Sequence, residues 1–172
     1  MMHRAASLIA CVAVFALSNA AAAAPQAVGA ADRNADIVAV RQYRLTMDKV
    51  EKLVTASQAL NKMIAADPAI KTRLDSDSDE SGTIDQKVKV MEVDFPQAAA
   101  VVHASGLTTR DYIMVGLAFM NDVMIVSMKK GGLIKDYPAN SITPENAAFV
   151  EQNFDKLKQL SEKLAPPNSG QQ

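Results

Sequence analysis

Residues 109–130 read TRDYIMVGLAFMNDVMIVSMKK. From Tyr112 to Met128 the segment is apolar around almost its whole circumference, and Asn121 and Asp122 interrupt it. A helix of that composition is normally buried on all sides. Its ends are marked by local chemistry. Thr108-Thr109-Arg110-Asp111 has the form of a capping box with Asp at the third helical position. Lys129 and Lys130 complement the negative end of the helix dipole, and Gly131-Gly132 stop the helix. A helix that needs enclosure needs neighbours, and the rest of the chain offers helical patterns. The segment therefore predicts an all-α fold, an irregular helical bundle of about four to six helices around a central buried helix, 109–130.

Upstream, Gly106 ends a short Ala-rich helix that begins at Pro96. Ile84, Val88, Met91 and Phe95 recur at helical spacing behind the capping box Thr83-Ile84-Asp85-Gln86. Asp75 to Gly82 reads as a polar, acidic loop. Thr46 caps a helix over 46–66, with Asp48 in its first turn and Val50, Leu53, Val54, Leu60 and Ile64 on one face. Asp67-Pro68 ends it, because a residue before Pro is pushed out of the α region. Pro68 itself can open a short helix through Leu74. Residues 24–45 read as a poorly patterned arm, loose at first and then packed near Val38, Val40 and Tyr43. Downstream, Thr143-Pro144-Glu145 opens a final helix over 144–164, with Val150, Phe154, Leu157, Leu160 and Leu164 as its buried stripe. No Gly-flanked run of alternating apolar residues suggests a strand, and no internal repeat is evident. The predicted organisation is an arm at 24–45, a bundle domain at 46–165 and a disordered tail at 166–172.

The first 23 residues read as a secretory signal peptide, with Arg4 in a short positive region, an apolar run from Ala5 to Leu17, and small residues before Ala24. Leu8-Ile9-Ala10-Cys11 resembles a lipobox, but the apolar run continues past Cys11 and a lipidated product would retain Val12–Leu17, so cleavage after Ala23 is the reading taken. Cys11 is the single cysteine of the 172-residue, 18.4 kDa chain. The mature chain then lacks disulfides, thiolate nucleophiles and Cys-bound zinc. No stable membrane insertion is expected after cleavage, and the expected location is periplasmic or secreted. Hydrophobic residues make up 49% and charged residues 22%, which excludes a disordered or collagen-like chain. Lys+Arg 18 against Asp+Glu 19 leaves a formal charge of −1, with no basic excess to neutralise a phosphate backbone. The signal segment together with the Gly106-Leu107-Thr108 helix junction is similar to small uncharacterised secreted helical proteins of Gram-negative bacteria. That resemblance implies the fold and location and carries over no function.

Several features bear on chemistry. Residues 77–88 resemble an EF-hand calcium loop. Asp77, Asp79 and Ser81 fall where side-chain oxygens are needed, Thr83 offers its carbonyl and Asp85 fits the ninth position. Val88 stands where a bidentate Glu belongs, so a calcium ion would be held weakly if at all. Asp122, with Asn121 before it, is a polar pair inside an apolar helix. A buried carboxylate must be paired, protonated or near water, and Arg41, Arg44 and His103 are the candidate partners. The pair reads as a structural hydrogen-bonding or ionic element that fixes helix register, or as the polar end of a ligand cleft beside 109–130. Met120, Met124 and Met128 recur at i+4 and read as core filler rather than as Cu(I) ligands. His103, the only His after the signal, reads as a C-terminal cap rather than a haem ligand.

No Gly-x-Ser-x-Gly elbow, Gly-rich phosphate loop or dinucleotide fingerprint is present. A resident cofactor is therefore not expected, calcium being the one candidate. The expected function is binding of a partner or a small apolar ligand without catalysis, with a weak calcium module as the alternative and a haem or copper carrier behind it.

Overall fold

The computed structural model describes residues 27–67, 70 and 82–164. The signal segment 1–23, the loop positions 77–81 and the 166–172 tail lie outside the described residues, as does all but Ile70 of the expected 68–74 helix. Seven helices are described: α1 (Ala27–Gln42), α2 (Met47–Ala66), α3 (Ile84–Val93), α4 (Pro96–Ala104), α5 (Thr109–Lys130), α6 (Pro144–Gln152) and α7 (Phe154–Glu162). No strand occurs among the described residues, and the fold is an all-α bundle.

Four helix starts follow the sequence signals because caps are local. The Thr46 hydroxyl accepts the Lys49 N–H, and Thr143 accepts that of Asn146. Thr83 and Gln86 form the reciprocal capping box, at 2.8 and 3.3 Å. At Thr108 the hydroxyl accepts the Asp111 N–H at 3.0 Å and donates to its carboxylate at 2.9 Å. The end of α5 is closed by Gly132 at φ +74°, with the Leu133 N–H reaching back to the Met128 carbonyl at 2.9 Å.

Helix α5 is central and packs against every other described helix. Its inward side presents Val115, Ala118, Phe119 and Val126, all fully buried. Val50 and Leu53 of α2, Val102 of α4, Val150 of α6 and Leu157 of α7 complete the same core. Each Val, Leu or Phe side chain among them contributes about 1.5–3 kcal/mol on burial. Tyr112 is tied to Ser57 of α2 at 3.1 Å.

The structure departs from expectation at several elements. The arm is helical from Ala27 to Gln42, an Ala-rich stretch free of internal Pro. Val40 and Tyr43 pack on the core as expected, whereas Val38 is 47% exposed. Asp36 accepts the Ile84 N–H at 2.8 Å and fastens α1 to the start of α3. The last helix is divided at Asn153, whose side chain donates to the Phe149 carbonyl at 2.8 Å and competes with the backbone ladder. Central position does not enclose α5 completely. The helices that pack on it cover the inward and lateral sides, and an outward strip stays open.

Candidate functional site

The polar pair of α5 is the floor of a buried junction. Asp122 is 1% exposed, as is Asn146 near the start of α6. Asp122 Oδ2 accepts from Asn146 Nδ2 at 2.8 Å, and Oδ1 accepts from Asn121 Nδ2 at 2.9 Å. Asn146 Oδ1 accepts the Leu45 N–H at 3.1 Å, while its Nδ2 also donates to the Tyr43 carbonyl at 2.9 Å. Asn121 Nδ2 donates in addition to the Ser141 carbonyl at 3.0 Å. One carboxylate thus joins the α1–α2 connection, α5, the turn at Ser141 and the first turn of α6.

The backbone decides which way these amides face. Leu45 offers a donor and Tyr43 an acceptor, so Asn146 must aim its NH2 at Asp122. Ser141 orients Asn121 likewise. Both carboxylate oxygens therefore face N–H groups, which favours the ionised form. Burial works against it and is the larger effect, lifting the Asp122 carboxyl to about 6. No buried side-chain nitrogen or oxygen among the described residues is left without a partner. Arg41, Arg44 and His103, the partners considered from sequence, are not the ones used. Asn146 was missed, although the spacing held a signal: stepping back four residues from Val150 along the buried stripe lands on it.

The other singled-out residues do not converge. Thr83 caps α3, and its carbonyl accepts the Lys87 N–H at 3.0 Å. Asp85 is paired with Arg110. Asp77, Asp79 and Ser81 are outside the described residues. His103 Nε2 lies 3.1 Å from Glu92 and 3.3 Å from the Thr109 hydroxyl, which itself donates to Glu92. Acid and hydroxyl meet at the same ring nitrogen, whereas a relay needs them on opposite nitrogens. The cluster ties α3 and α4 to the start of α5. Met120 lies 11 residues along α5 from Thr109, about 16 Å at helical rise, so His103 and the Met stripe do not share a site.

The Met stripe is on the outside. Leu117, Met120 and Met124 are 37%, 49% and 52% exposed, and half-buried Ile113 continues the line. This corrects the reading of Met120 and Met124 as core filler. Charges at the ends of the strip are satisfied within the chain: Arg110 by Asp85, and Lys129 by Glu151 at 3.2 Å, with the Lys129 ammonium over the Tyr137 ring at 4.1 Å. Tyr137 and Lys129 both hold the Glu151 carboxyl below its usual range, the Tyr137 hydrogen bond most strongly. A shallow cleft of about 220 Å³ lies beside the junction, lined in part by Arg44, Leu45, Glu145, Asn146 and Phe149. Asp122 does not open into it.

No family model matches the chain, and no curated protein or solved structure is similar to it.

Proposed function

We propose that the chain is an exported helical binding module, without catalysis of its own, that holds an apolar protein surface against the outward face of α5. One observation carries this reading: Leu117, Met120 and Met124 stand in water on α5, the long apolar helix at the centre of the fold. Soluble domains seldom leave contiguous large side chains of this kind uncovered unless something binds there. Methionine suits the task, because its flexible thioether adapts to the shape it meets. Export rests on the composition of residues 1–23, with the periplasm or the exterior as the place of action. Asp122 and Asn121 serve the fold, since each is committed to partners inside the chain.

Fluorescence of anilinonaphthalene sulfonate provides the test. The folded protein is expected to enhance the dye's emission, and Met120→Glu is expected to remove the enhancement at an unchanged melting temperature. A folded, monomeric wild type that leaves the dye dark sinks the proposal. The calcium reading has a separate check in the melting temperature with millimolar calcium against chelator. Because Thr83 and Asp85 are already engaged, no rise is expected.

A further inference from the structure

We infer that the surface covering the outward face of α5 is the same face of a second copy of this chain. This rests on the binding reading above and names its partner. The open residues Leu117, Met120 and Met124, extended by Ile113 and by exposed Ser127, are spaced alternately by three and four. That is the seam spacing of paired helices. The strip is also nearly symmetric about Met120. In an antiparallel pair crossing there, Leu117 faces Met124 of the partner subunit, Ile113 faces Ser127 of the partner subunit, and the two Met120 side chains meet. A twofold interface requires a patch that complements itself, and this arrangement does.

Charge points the same way. Between Asp111 and Lys129 the only ionisable residue with a charge at neutral pH is Asp122, which faces inward. Arg110 and Lys129 at the two ends already have Asp85 and Glu151. The Lys130 ammonium lies over the Phe154 ring at 4.6 Å. Two identical strips can therefore approach with little repulsion. Ser127, at one end of the line, adds little bulk to the backbones' approach. The strip is narrow, so the dimer belongs at the weak end of interface strengths.

Sedimentation from micromolar to millimolar protein tests this, alongside dye binding on the same samples. Wild type is expected to pass from monomer to dimer. Leu117→Glu and Met120→Glu, which place a charge in the seam, are expected to weaken association about tenfold or more with unchanged melting. In a Cys11→Ser background, Met120→Cys is expected to form a disulfide-linked dimer under mild oxidation, and Gln159→Cys, exposed on α7, is not. A wild type that stays monomeric throughout while still enhancing the dye overturns the second copy and leaves the apolar face to another protein. A monomer that leaves the dye dark overturns both readings. A dimer untouched by the Glu substitutions, or a Met120→Cys chain that fails to cross-link, places any association elsewhere and overturns the inference.

Discussion

Asp122 shows how much one side chain can decide. Its carboxyl titrates near 6 when folded and near 3.8 when not, so the folded chain holds the proton more tightly. Stability from this group is fully present below pH 3.8 and is lost as the pH rises through about 6. The gap corresponds to about 3 kcal/mol. Denaturant titrations of wild type and Asp122→Asn across that window should show the wild type losing up to that amount relative to the variant. Parallel curves would mean the buried carboxyl is not the titrating group. Asn146→Ala strips partners from the Leu45 N–H, the Tyr43 carbonyl and Asp122 together, and should cost about 3 kcal/mol or more. A loss under about 1 kcal/mol would show that water substitutes for the amide. The importance of Asp122 was legible in the sequence as a polar residue in an apolar run. Its partner lies 24 residues away on another helix, and linear spacing does not encode that meeting.

At the level of single helices, termini were legible and outer faces were not. Thr46, Thr83, Thr108 and Thr143 all cap where expected, because each hydroxyl reaches an N–H only three residues on. Gly132 closes α5 at φ +74° with open space around it. Gly132→Ala should therefore cost about 1–2 kcal/mol from backbone conformation alone, read as a lowered denaturation midpoint. An unchanged midpoint would mean that α5 frays before Gly132. The division at Asn153 escaped the periodicity reading, because the apolar stripe runs through it unbroken. A side-chain bond to a backbone carbonyl leaves no trace in hydrophobic spacing.

For the molecule as a whole, the contacts of α5 with every other described helix make it the shared core. Phe119 is fully buried at its middle. Phe119→Ala should destabilise the protein by about 3–5 kcal/mol and lower a single cooperative transition. Separate loss of one helix, seen as a second transition, would argue against a common core. Amide exchange should be slowest from Val115 to Val126, where the inward residues are buried, and faster in α1, where Ile37 and Val38 are each 47% exposed.

Composition and local pattern were enough to determine the all-helical class of the described residues, the starts of five of the seven described helices and most of the stripes that form the core. These depend on residues a few positions apart, whose geometry the helix itself sets. Which side of α5 stays open, and which amides receive Asp122, were decided only in three dimensions. Both depend on where the other helices settle around α5, which residues distant in sequence decide together.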